Sequence, residues 1–186
     1  MHILIIPSDH FVTEKSPFAS IFQYEQAKAL KNVGHSVGVV SVGFITLRYL
    51  FNKYPYKKFE QINNINIYRK YKRLLFVHRF IPFLYLNFKY KKLFKNEVKN
   101  YIKKHGKPDI IHAHNFLYAG FFALHIKEKY NIPFVLTEHS TGFARGLVRK
   151  ELDKKIKEIC QQASALTCVS SPFKKLLENR YEFKFS

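Results

Sequence analysis

The chain has 186 residues, enough for one α/β domain with a proper core, and an apolar content of 47% excludes a disordered protein. Lys and Arg number 32 against 13 Asp and Glu, a formal charge of +19 that points to an anionic partner: nucleic acid, anionic lipid or a phosphorylated ligand. An A/T-rich coding sequence favouring Lys codons would give the same surplus, so charge alone does not choose among these partners.

Residues 2–7 form a continuous apolar run, as expected of a strand buried on both faces of a parallel sheet. A polar loop follows over 8–20. Residues 20–33 then have helical character, with Ile21, Ala27, Leu30 and Val33 on one face and Gly34 as the C′ residue. A second apolar strand is expected over 36–42. A dinucleotide-binding site would require Gly-x-Gly-x-x-Gly directly after the first strand, and the loop 8–20 contains no glycine, which excludes that reading. Residues 43–56 are aromatic and basic and carry no clear pattern. Residues 64–71 alternate apolar and polar side chains and read as a strand near a sheet edge. From 69 to 104 the chain is basic, with Glu97 its only acid, and from about residue 83 it has helical period. Leu86, Leu93, Val98 and Ile102 are the candidates for its buried side, and Tyr85, Phe88, Tyr90 and Phe94 add aromatic surface. Such a segment can lie on an anionic bilayer, where each basic residue contributes about 1 kcal/mol. It can equally be a core helix with a solvated basic face.

Gly106-Lys107-Pro108 ends that helix and leads into the central stretch, 109–142. Two short apolar runs, 110–113 and 134–137, flank a segment of helical period over 119–130. This is a βαβ unit with parallel strands. Each run is followed at once by polar residues, and ligands of open parallel sheets sit outside the carboxyl ends of the strands. His112, His114, Asn115, Glu138, His139 and Ser140 fall at or near those ends. An amphipathic segment over 148–163, a strand over 165–169 and a last helix capped by Ser170-Ser171-Pro172 complete the pattern.

Strand alternation places His112 and His114 on one side, one packing inward while His114 faces the crevice. A metal would need further ligands, for which only Glu138 or His139 could be invoked, and no metal is expected. His139 reads either as a structural histidine or as a site residue. A serine hydrolase would need a Gly-x-Ser-x-Gly elbow, which is absent. No RNP-type run, zinc finger or helix-turn-helix supports nucleic-acid binding, which stays a minority reading. Cys160 and Cys168 read as packing residues, not as a disulfide framework. No apolar run approaches the ~18 residues of a membrane span. Residues 1–7 lack the basic n-region and cleavage site of a signal peptide. A cytoplasmic protein is expected, with peripheral contact at the inner face of the plasma membrane through 69–104.

Several of these pieces, in order, resemble the N-terminal domain of glycosyltransferase family 4. They are residues 1–7, Ile21-Phe22-x-x-Glu25-Gln26-Ala27-x-Ala29-Leu30, Gly34-His35-x-Val37, Pro108-Asp109-Ile110-Ile111-His112-Ala113-His114, Pro133-x-Val135-x-Thr137-Glu138-His139-Ser140 and Cys168-Val169-Ser170. The resemblance implies a doubly wound, Rossmann-like α/β sheet of about six parallel strands, the N-terminal half of a GT-B fold. It further implies retaining transfer of a sugar from a UDP- or GDP-linked nucleotide sugar, without a bound metal or other cofactor. The acceptor would be a cell-surface glycan or lipid-linked molecule, in polysaccharide or lipopolysaccharide synthesis. His139 is then the catalytic-side contact to the transferred sugar, worth up to about 10²–10³ in rate. Ser20, preceded by Ala19, occupies the donor-facing position where the family usually has glycine. His114, Asn115, Ser140 and Arg145 are the expected acceptor-side residues. The expected domain is 1–180, with 181–186 opening an interdomain linker and the donor-binding domain lying outside this chain. The alternative is a free-standing module that binds anionic membrane or glycan.

Overall fold

The computed structural model describes residues 1–14, 16–45, 57–73 and 83–186. It divides into two compact units, Met1–Pro108 and Asp109–Ser186.

The first unit contains β1 (His2–Ile6), α1 (Ile21–Asn32), β2 (Ser36–Ile45), β3 (Phe59–Ile62), β4 (Ile65–Arg73) and α2 (Phe83–His105). β1 and β4 both pair parallel with β2, and β3 pairs antiparallel with β4. The expected edge strand is therefore an inner one, flanked by β2 and by the short β3. The turn between β3 and β4 is Asn63-Asn64, both at positive φ (49° and 57°), a conformation that suits a two-residue hairpin and that asparagine tolerates. α2 reaches β2 at Gly38, whose missing side chain makes room for the ring of Tyr101: a Cβ there would lie 2.0 Å from the Tyr101 hydroxyl. That hydroxyl also bonds Nε2 of His2 at 2.6 Å.

The helix buries part of the face read from sequence, Leu93 and Val98, and adds residues not expected there. Leu93, Phe94, Glu97, Val98 and Tyr101 are buried, while Ile102 is only half-buried. In α1, Val33 stands 70% exposed at the helix end and Gln23 is buried beside Ala27. Two cations of the basic segment are structural. Arg69 is fully buried, paired with Glu60 at 3.0 Å and donating to the carbonyl of Val12, and Lys70 pairs with Glu97 at 3.3 Å. The others from Lys91 to Lys104 are exposed. Residues 46–56 and 74–82 of the aromatic and basic stretches lie outside the described residues. Among the described residues no helix is long and apolar enough to cross a membrane.

The second unit contains β5 (Ile110–His114), a wide turn (Phe116–Gly120), α3 (Phe121–Tyr130), β6 (Phe134–Glu138), α4 (Asp153–Gln162), β7 (Ala165–Cys168) and α5 (Ser171–Tyr181). β5, β6 and β7 run parallel, with Ile111 opposite Phe134 and Val135 opposite Ala165. The described residues thus hold seven strands, all but β3 parallel to their neighbours within each unit. Phe116 meets Phe143, Tyr181 and Phe185 at ring distances of 5.9–6.2 Å. Two residues of the stretch 181–186, read from sequence as the start of a linker, join this packing. Tyr181 and Phe185 are buried, and the Ser186 N–H donates to Leu166 at 2.8 Å. Arg180 grips the Asp153 carboxylate, tying α5 to α4.

Candidate active site

The carboxyl ends of β5, β6 and β7 lie side by side, with His114 opposite Thr137 and Glu138 opposite Cys168. The chain leaves β5 through Asn115, whose φ of 73° and ψ of 148° fall in a region that essentially only glycine favours. Holding a side-chain residue there costs about 1–3 kcal/mol. The surroundings hold it: the Asn115 N–H donates to Thr137 at 2.9 Å, and the Asn115 carbonyl accepts from Gly120 at 3.0 Å. The Asn115 side-chain oxygen accepts from the backbone N–H of His139 at 2.8 Å.

Glu138 makes the second tie. It is wholly buried, and its oxygens accept the Phe116 N–H at 2.7 Å and the Ser140 N–H at 2.6 Å. One carboxyl therefore joins the loop after β5 to the loop after β6. Burial pushes this carboxyl up to about 7, against the opposing pull of the Phe116, Ser140 and His139 backbone N–H groups.

His139 is half-buried, and its Nε2 meets Nδ1 of His114 at 3.0 Å. The His114 ring is itself 4.3 Å from that of His112, whose Nε2 bonds the Thr137 hydroxyl at 2.8 Å. The Thr137 hydroxyl in turn meets that of Thr167 at 2.7 Å. Burial is the leading cause of a lowered imidazole pKa at all three histidines. His112 falls to about 4, with a further push from His139, and His114 falls well below its ordinary value. The cluster is therefore neutral at neutral pH. Neutral imidazoles can donate or accept one hydrogen bond each to a ligand without presenting a cation. Among the described residues, no group of three or more His, Cys, Asp or Glu is placed to hold a metal ion.

His139 borders a cleft of about 330 Å³ shared with Ser140, Val169, Ser170, Pro172 and Phe173. The residues after β7 were readable from sequence only as a helix cap. Ser170 does cap α5, accepting the Phe173 N–H at 3.4 Å, and it also lines the cleft. His139, His114, Asn115 and Ser140 are thus brought together. His114, however, has no accessible surface, so it does not face the crevice; it backs His139. Arg145 is exposed on the turn beyond Gly142 and does not line this cleft.

Ser20 and Ala19 belong to the first unit. Ser20 adopts a left-handed conformation (φ 52°, ψ 37°), the backbone that a glycine would supply freely, and its hydroxyl donates to the His10 carbonyl at 3.1 Å. The Ser20 side chain does not cap the N-terminus of α1. The Ala19 N–H donates to Ser16 at 3.3 Å. The loop is further held by Tyr71, whose hydroxyl accepts the Phe11 N–H at 3.2 Å and bonds Ser41 at 2.5 Å.

Parallel strands with polar side chains gathered at their carboxyl ends define a Rossmann-like α/β fold, and solved glycosyltransferases of the GT-B class share it. UGT89C1 of Arabidopsis thaliana, in complex with UDP, aligns with a TM-score of 0.52 at 12% identity over 97% of this chain and 46% of its own. Apo UGT2 of Phytolacca americana aligns with a TM-score of 0.51 at 10% identity over 100% of this chain and 50% of its own. The chain therefore spans about half the length of these neighbours. No curated protein matches it in sequence. The sequence model of Glycosyltransferase Family 4 matches residues 19–185, and the chain belongs to that family.

Proposed function

We propose that this chain is the acceptor-binding half of a retaining, metal-independent glycosyltransferase. It would move a sugar from a UDP- or GDP-linked donor to a cell-surface glycan or a lipid-linked acceptor. The observation that supports this best is His139: a neutral imidazole at the carboxyl end of a buried parallel strand, held from behind and bordering a cleft. A fixed neutral donor can bond a sugar hydroxyl or a leaving-group oxygen as charge develops, without reorganising during the reaction. Ser140 lines the same cleft, whereas Asn115 is not part of its lining and acts through the His139 backbone. The Ser20 proton is spent on His10, so donor phosphate at this loop would meet the first-turn amides of α1 and not the Ser20 hydroxyl.

The exposed lysines of α2, Lys91, Lys92, Lys95, Lys99 and Lys103, fit an anionic membrane surface at its cytoplasmic face. Two experiments test these readings. Transfer from nucleotide sugars by the full-length protein should yield a product whose anomeric configuration, read by NMR, matches the donor; an inverted product overturns the retaining assignment. Sedimentation with anionic vesicles should be strong at low salt and fall as salt rises, whereas no binding at low salt removes the membrane role.

A further inference from the structure

We infer that His114 sets the tautomer of His139, so that His139 presents an Nδ1–H donor to whatever enters the cleft. The two rings share one hydrogen bond, His114 Nδ1 to His139 Nε2 at 3.0 Å. Both rings are neutral, so that bond holds a single proton, and two arrangements are open. In one, His114 Nδ1 donates, its Nε2 is a bare lone pair, and the proton of His139 sits on Nδ1. In the other, His139 Nε2 donates and the proton of His114 moves to its own Nε2.

The burial of His114 separates the two. His114 is 0% exposed, and its Nε2 is buried with no hydrogen-bond partner among the described residues. The second arrangement would therefore leave an N–H donor orphaned inside the protein, the rarest kind of unsatisfied group in folded chains. The neighbouring ring cannot relieve it, because Nε2 of His112 is already taken by Thr137. Glu138 does not relieve it either: its carboxyl is not within hydrogen-bond reach of that nitrogen. The first arrangement leaves only an unused acceptor. His114 is thus a positioning residue that acts through His139, and the cleft favours ligand atoms that accept, such as hydroxyl, ring or phosphoryl oxygens, over groups that only donate. The identity of that ligand rests on the transferase reading above; the tautomer does not.

The test is long-range proton–nitrogen correlation NMR on the wild-type chain with ¹⁵N-labelled histidine near neutral pH. The expected spectrum gives His139 a pyrrole-type Nδ1 and a pyridine-type Nε2. The reverse assignment overturns the inference whatever the activity. His114→Leu, in a variant whose other amide shifts stay near wild type, should move both His139 nitrogens toward the average of the two tautomers, and an unmoved pair would show that His114 does not set the proton. A His139 found as the Nδ1–H form in a full-length protein that transfers no sugar would instead leave this inference standing and remove the transferase reading.

Discussion

Replacing Glu138 by Gln probes how the two loops of the site are joined. In the native protein both carboxyl oxygens accept backbone N–H groups, from Phe116 at 2.7 Å and Ser140 at 2.6 Å, in a fully buried position. Gln keeps one accepting oxygen and turns an NH₂ group toward the other N–H, and a buried donor without an acceptor costs about 1–3 kcal/mol. The native group has a cost of its own, because burial raises its pKa from 4.5 to about 7. A carboxyl raised in the folded state contributes stability that is complete below its unfolded pKa and is lost as pH climbs through the folded one. At about 1.4 kcal/mol per unit, that loss is roughly 3 kcal/mol between pH 4.5 and pH 8. Gln has no proton to lose. The deficit of Glu138→Gln should therefore be greatest at or below pH 4.5 and shrink from there by roughly 3 kcal/mol by pH 8, where the variant equals or exceeds the wild type. Urea unfolding of both proteins across this range reads the difference directly, since the histidines are common to both. A deficit that stays flat with pH would refute the reasoning.

Two substitutions test the scaffold. Gly38→Ala puts a methyl group where the Tyr101 ring now lies, 2.0 Å from its hydroxyl, and should cost about 1–3 kcal/mol in urea unfolding. An unchanged midpoint would mean that Tyr101 swings aside freely. At Asn115, both Ala and Gly remove the acceptor of the His139 N–H, but only Ala retains the strain of φ 73°. Asn115→Gly should therefore be more stable than Asn115→Ala by about 1 kcal/mol or more. Equal stabilities would contradict the strain assigned to this turn.

The elements with a strong local signature were legible in the sequence. β1, β5 and β6 are built on short apolar runs, and α1 ends at Asn32 with Gly34 as its C′ residue, so burial on both sheet faces and a helix stop are written into short windows. β3 was missed because Phe59–Ile62 is brief and carries Glu60 and Gln61. Its signal was the Asn63-Asn64 pair, a hairpin turn directly before the alternating run of β4. Long-range pairing was invisible. Nothing local shows that Arg69 meets Glu60 or that Lys70 meets Glu97, so both cations looked like surface charge. At the site, strand alternation correctly put His112 and His114 on one side, and their rings lie 4.3 Å apart. Which of the two would be sealed off depends on neighbours from other strands, and His114 proved to be the fully buried one. Glu138 was visible as a position but not as an anchor, because its partners lie 22 residues back and 2 residues ahead in the chain.

The central claim is that His139 touches the sugar being transferred. His139→Ala in the full-length protein, assayed for transfer with its nucleotide-sugar donor and with folding checked by urea unfolding, addresses it most directly. A loss of at least about tenfold in turnover with the fold retained is the predicted result. Wild-type turnover in a folded His139→Ala variant would place the chemistry elsewhere and contradict the account.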